Sequence, residues 1–245
     1  MKSEMEEVLA SLQARHIRGE YAENREEATR KILQLIPAGA TVGIGDSTAM
    51  RQVGILPALK ERGTKVLNPF EPKGDGVSVE DFRAWRTRVM REATLADVFL
   101  TGSNAVTRDG RIVNVDANGN RVAGMFWGHP LSIVVVGRNK IVGDLEEAFG
   151  RIRQVIAPTH FYVRSTELRG RIRKTPCAAT GECQDCRSTE RGCNIFSIIE
   201  GKPSQTELHV ILVDLDLGLG WDPSWPAGRI AEIREAYKRY VSIQA

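Results

Sequence analysis

The sequence predicts an α/β fold with a mixed sheet covered by helices on both faces, and three observations carry that reading. From residue 40 onward, short β-type runs alternate with helical periodicities. The apolar run Leu131-Ser132-Ile133-Val134-Val135-Val136 is of the kind buried on both faces of a sheet. Turns rich in glycine and asparagine follow three of the strands.

Residues 1–38 read as an N-terminal helical segment. Met5, Val8, Leu9 and Leu12 share one helical face. A second helix starts near Asn24, with Glu27 three residues on as its capping partner, and Pro37 and Gly39 end it. Residues 41–45 and 65–67 are the first two strands. A helix over 79–93 turns Phe82, Trp85, Val89 and Met90 inward. Residues 97–101 form the third strand. Runs at 111–116 and 121–125 flank Asn118-Gly119, a two-residue hairpin signal that makes the sheet mixed. The apolar strand 131–136 follows. Asp144 and Glu147 then open a helix with the stripe Leu145, Ala148, Ile152 and Ile156, and Pro158 is expected to stop it. Strands at 195–199 and 208–214 precede a last helix over 226–241. It carries Ile230, Ile233, Tyr237, Tyr240 and Val241.

The chain of 245 residues is expected to form one domain, with residues 164–194 inserted as a cysteine loop. Hydrophobic residues make 42% and charged residues 27%, which excludes a disordered or collagen-like chain. No apolar run approaches the length of a membrane span, and the acidic start lacks the apolar centre of a signal peptide, so the cytoplasm is the expected compartment. Net charge is +3, too balanced for a nucleic-acid protein. Arginine outnumbers lysine 25 to 9, and arginine suits carboxylate or phosphate, although GC-rich codon usage or surface ion pairs outweigh that explanation.

All four cysteines fall within 17 residues: Cys177-x5-Cys183-x2-Cys186-x6-Cys193. In a reducing compartment such a cluster points to metal rather than to disulfides. Four thiolates satisfy either tetrahedral zinc or the irons of a 4Fe-4S cluster. Structural zinc sites usually show two short C-x2-4-C pairs. Here only one pair is that close, which leans towards iron–sulfur, with zinc as the alternative and free or redox-active thiols as the remaining reading.

Three loops gather candidate ligand-binding residues. Gly43, Gly45, Asp46, Ser47 and Thr48 lie where a strand hands over to a helix, a context for an anion or for an ordinary tight turn. Thr101, Gly102, Ser103 and Asn104 follow the third strand, and Asn139 and Lys140 follow the apolar strand. Ligands collect beyond the carboxyl ends of parallel strands, so the three loops together make a candidate site for a small anionic organic or phosphorylated ligand. Lys140 is a candidate anion-binding or catalytic amine. Asp116-x-Asn118-x-Asn120 starts like a calcium loop but lacks its glycine. Of the four histidines, His129 is the best placed to face a site. Glu71, Glu147 and Glu200 are candidate acids by residue type alone.

The loops and cysteines together resemble the LUD domain (DUF162) family, which includes lactate-utilisation proteins of the LutC/YkgG type. The resemblance is carried by Gly43-Ile44-Gly45-Asp46-Ser47-Thr48, by the stretch from Ala96 to Thr107 containing Thr101-Gly102-Ser103-Asn104, and by Gly110-Arg111-Ile112-Val113-Asn114-Val115-Asp116. Gly119-Asn120-Arg121-Val122-Ala123 and Val136-Gly137-Arg138-Asn139-Lys140-Ile141-Val142 add to it. Residues 177–194 look like the cysteine loop of a subset of the family. The resemblance covers about residues 20–200. It implies a Rossmann-like fold similar to the NagB/RpiA/CoA-transferase group, in a bacterial or archaeal cytoplasmic protein. Lactate-utilisation members work beside iron–sulfur partners in oxidising lactate to pyruvate. The plain LutC type lacks the cysteine loop, so the resemblance favours a relative with its own cluster, and it supplies no catalytic residue. Three functions stay open: an iron–sulfur protein in small-organic-acid redox metabolism, a transferase, isomerase or cyclo-ligase with a structural zinc, and a non-enzymatic subunit or regulator docking a redox partner. Neither nucleic acid nor membrane is expected as a partner.

Overall fold

A computed structural model describes residues 2–168 and 173–241. Helix α1 (Lys2–Ala14) buries Met5, Val8 and Leu12, the face its spacing predicts. Helix α2 (Arg25–Leu35) begins with the expected box: Asn24 Oδ1 accepts the Glu27 amide at 2.9 Å, and Glu27 Oε2 accepts the Glu23 amide at 2.9 Å. Between these helices runs a strand, β1 (Arg18–Ala22), that the sequence pattern does not show.

Strands β2 (Val42–Ile44), β3 (Val66–Leu67), β4 (Val98–Gly102), β7 (Leu131–Gly137) and β10 (Glu207–Val213) join β1 in a six-stranded sheet of order β1-β10-β7-β4-β2-β3. Every pair in it is parallel. The apolar strand β7 sits at its centre and is buried from Ser132 to Gly137, as its composition predicts. Apolar clusters cover both faces: Ile32, Ile44, Met50 and Leu100 belong to one, and Leu12, Val134, Val136 and Leu212 to the other.

The antiparallel pairs lie in a second sheet, of order β8-β5-β6-β9, built from β5 (Ala105–Thr107), β6 (Ile112–Asp116), β8 (Ile141–Val142) and β9 (Ile195–Ile199). The predicted hairpin at Asn118-Gly119 is not formed. Residues Asn120–Phe126 are a helix, α6, rather than a strand. The cause is local: Asp116 Oδ1 accepts the amides of Asn118 and Gly119 at 3.0 and 3.1 Å, closing a strand-to-helix turn. Gly119 supplies the left-handed conformation (φ 88°) that opens the helix. The antiparallel partners of β6 are β5 and β9 instead.

Helices α3 (Thr48–Val53) and α4 (Ile55–Glu61) connect β2 to β3, and α5 (Val79–Ala93) connects β3 to β4 on the opposite face, against Gly43. Of the four residues expected to face inward on α5, only Val89 is buried; Phe82 and Trp85 stack on each other half-exposed. Asp144 caps α7 (Leu145–Arg151) through the Glu147 amide, as predicted. Pro158 does not stop the helix. It falls in the first turn of α8 (Ala157–Tyr162), and the turns on either side, 152–156 and 163–167, widen to π-helix. A widened turn accommodates a residue that has no amide and would clash with the preceding turn. Helix α9 (Pro176–Thr180) holds the first cysteine, and α10 (Ala227–Tyr240) buries Ile233 and Tyr237. Among the described residues no helix is long and apolar enough to cross a membrane.

Candidate functional site

A cavity of about 220 Å³ opens beyond the carboxyl ends of β2, β4, β7 and β10, four neighbouring strands of the parallel sheet. Asp46, Ser47 and Thr48 reach it from β2, Gly102, Ser103 and Asn104 from β4, Lys140 from β7, and Gly218 and Leu219 from β10. The three loops singled out in the sequence therefore converge on one pocket.

Four candidate residues stand behind the pocket rather than on its wall. A Cβ at Gly43 would overlap the Ala93 carbonyl oxygen, so this glycine lets α5 approach the sheet. A Cβ at Gly45 would stand 2.6 Å from Thr101 Oγ1, which places those two residues against each other. Asn139 is fully buried and ties down the loop after β10. Its Oδ1 accepts the Leu217 amide at 2.8 Å, and its Nδ2 donates to the Gly220 carbonyl at 3.0 Å. Gln52 Oε1 accepts the Gly218 amide at 2.6 Å, so the Leu217-Gly218-Leu219-Gly220 wall is held from two sides. His129 is buried and stacked on Phe99, away from the pocket. Glu71, Glu147 and Glu200 do not line it either: Glu147 pairs with Arg151, and Glu200 with Arg15 and Arg111.

The arginines that give the pocket its charge lie outside the three loops. Arg86, Arg121, Arg164 and Arg173 line it together with Lys140, against the carboxylates of Asp46 and Asp116. The balance is positive, which favours an anion. Arg121 is fixed by Asn104 Oδ1 at 2.9 Å, by the Val115 carbonyl and by Asp116. Asp46 accepts from Arg51 at 2.9 Å. Burial pushes its carboxyl up, but Arg51, with Arg164 beyond, holds it below the ordinary carboxylate value. His160 Nδ1 meets the Tyr237 hydroxyl, and Arg164 approaches its Nε2 at 3.4 Å. Burial and the adjacent Arg164 push His160 down to about 3, so its imidazole is neutral. Burial likewise raises the Tyr237 hydroxyl, which stays protonated.

The second feature adjoins the first. Cys177, Cys183, Cys186 and Cys193 all line a small cavity of about 30 Å³, roofed by Ala157, Pro158 and Phe161 of α8. Arg191 staples the loop by donating to the Cys193 carbonyl at 3.0 Å, to the Cys186 carbonyl and to Asp185 Oδ1 at 2.9 Å. Burial raises the thiols of Cys177 and Cys193, the latter to about 11. Among the described residues no three His, Cys, Asp or Glu side chains already stand in metal-binding geometry. The donor set nevertheless fits a thiophilic metal by residue type: all four cysteines line one cavity, on a loop that is largely exposed. Of the basic residues around the cysteines, Arg169 and Arg171 lie outside the described residues.

Ala157, Phe161, Gly192 and Cys193 line both cavities. The molecule is thus an α/β protein with a cationic pocket at the carboxyl edge of a parallel sheet, and with a four-cysteine loop forming part of the pocket wall. The chain belongs to the LUD domain family, whose profile matches residues 5–213. Among solved structures, it is similar to a DUF162 family protein from Deinococcus radiodurans, at 14% identity over 86% of this chain and 97% of that one, with a TM-score of 0.47. No curated protein matches it.

Proposed function

We propose that this LUD protein holds a 4Fe-4S cluster on Cys177, Cys183, Cys186 and Cys193 and acts in redox metabolism of a small organic acid bound in the adjoining pocket. The observation that carries this reading is the shared wall: Cys193 borders both the cysteine cavity and the cationic pocket. When bound, such a cluster supplies one-electron transfer. Arg121 and Arg164 meet the carboxylate, while the neutral His160 and the Tyr237 hydroxyl provide hydrogen-bonding groups for a substrate oxygen. At about 220 Å³ the pocket is smaller than the roughly 300–1,000 Å³ typical of drug-sized ligands, which favours a small acid over a dinucleotide.

Anaerobic purification with iron, sulfide and zinc analysis tests the reading. It predicts brown protein with broad visible absorbance, iron and sulfide in equal amounts, and loss of both on Cys186→Ser. Colourless protein with one zinc per chain supports the second reading, a structural zinc clip. A specific observation favours that alternative: the cysteine cavity, at about 30 Å³, is sized for a single ion, so a four-iron cluster requires the loop to move outward.

A further inference from the structure

Lys140 is not placed like a structural lysine. It lies in the 3-10 turn Arg138–Lys140 and is 5% exposed, yet its ammonium position has no carboxylate within ion-pair distance among the described residues. Its one hydrogen-bond partner there is the Leu219 carbonyl. Gly218 and Gly220 leave room beside it: a Cβ on either would stand 3.5 or 3.6 Å from Nζ. A buried lysine is almost always paired. This one instead shares its surroundings with two guanidiniums, those of Arg121 and Arg151, and both are themselves anchored.

We infer that Lys140 is a nucleophilic amine that captures a small 2-oxo acid in the pocket as an imine. The inference rests on the reading of the pocket as a small-organic-acid site and names the substrate class. Burial, reinforced by Arg121 and Arg151, pushes the amine down to about 7, so a large share of it is the neutral nucleophile at neutral pH. The N–H given to Leu219 orients it. Arg121, which reaches the wall from α6, and Arg164, from the turn after α8, hold the carboxylate end of the acid. Nζ then adds to the carbonyl carbon to give a carbinolamine. Loss of the carbonyl oxygen with the two amine hydrogens, as water, leaves the C=N bond. No oxidant or reductant is consumed.

Two measurements on the full-length protein separate this inference from the reading beneath it. Pyruvate and lactate are titrated calorimetrically, and pyruvate is then incubated with sodium cyanoborohydride and the protein analysed by peptide mass mapping. Both acids are expected to bind. Pyruvate should leave a reduced adduct, heavier by pyruvate less one oxygen, on the peptide carrying Lys140, and lactate, which has no carbonyl, should leave none. Lys140→Arg should abolish the adduct while keeping the far-UV spectrum. Binding of both acids with no adduct, or an adduct on another lysine, overturns the imine and leaves the pocket reading standing. Binding of neither acid, with no adduct, overturns both. The wild-type mapping decides even where the variant folds poorly.

Discussion

Gly192 meets the tip of the Phe161 ring, so close that a Cβ on Gly192 would overlap Phe161 Cζ. This contact is where the cysteine loop meets α8, and both residues face both cavities. Glycine is needed here for space, since even a methyl group forces the ring or the loop to shift.

Gly192→Ala should therefore weaken metal retention more than it weakens the fold. Overpacking costs about 1–3 kcal/mol in a rigid core. The loop side of this contact is partly exposed and will yield first. The expected result is a lower metal content per chain after dialysis against a chelator, with an unchanged far-UV spectrum. Equal metal content in the two proteins would show that the loop does not depend on this contact.

Asn139→Ala should be costly to stability. The asparagine serves two backbone groups, the Leu217 amide and the Gly220 carbonyl, and is itself fully buried. Each buried group left unpaired costs about 1–3 kcal/mol. Urea unfolding should show a loss of about 2–4 kcal/mol with an unchanged denaturant slope. The Leu217–Gly220 wall should loosen with it, weakening whatever the pocket binds. A loss below about 1 kcal/mol would mean that water replaces the asparagine.

Where the sequence was legible, side-chain chemistry and periodicity agreed. The central strand, the Asn24 and Asp144 caps and the confinement of the cysteines to one loop all emerge from residue type and spacing. Strand β1 does not, because Arg18-Gly19-Glu20-Tyr21-Ala22 is an edge strand with only Ala22 buried, and its place is set by pairing with β10. Asn118-Gly119 misleads because the same left-handed glycine serves a hairpin or a helix start, and a carboxylate two residues earlier decides between them. The pocket was half legible. Its loops carry glycines, but the wall at Gly218 and Leu219 acts through backbone, and the arginines arrive from α5, from α6, from a helix that continues past Pro158 and from the segment before α9.

Lys140→Met should stabilise the protein at neutral pH, and the sign follows from proton linkage. The unfolded chain holds the lysine proton below about 10.5. The folded chain releases it near 7. Between these values the unfolded state binds more protons, so wild-type stability rises with pH across the window of about 7 to 10.5 and is flat below it. At pH 7 the burden is about 4 kcal/mol. Methionine removes it but orphans the Leu219 carbonyl, at about 1–3 kcal/mol. The net gain should be about 2 kcal/mol at pH 7, shrinking as pH rises and reversing above about 9. Urea titrations of both proteins across this range check it. A variant less stable at pH 7 would show that the amine acts as a clamp and is no burden to the fold.

Replacing all four cysteines by serine should leave the parallel sheet intact. The clusters that cover the sheet draw no residue from 173–194, and the loop packs against α8 and the turns beside it. The melting temperature should therefore move by no more than about 4 °C, the shift that 1 kcal/mol produces in a chain of this size. The pocket should suffer more, because Gly192 and Cys193 form part of its wall. Weaker acid binding with a preserved fold is expected from calorimetry and circular dichroism of the same sample. Global unfolding of the variant would instead make the cysteine loop a folding element. Unchanged acid affinity would separate the two cavities functionally.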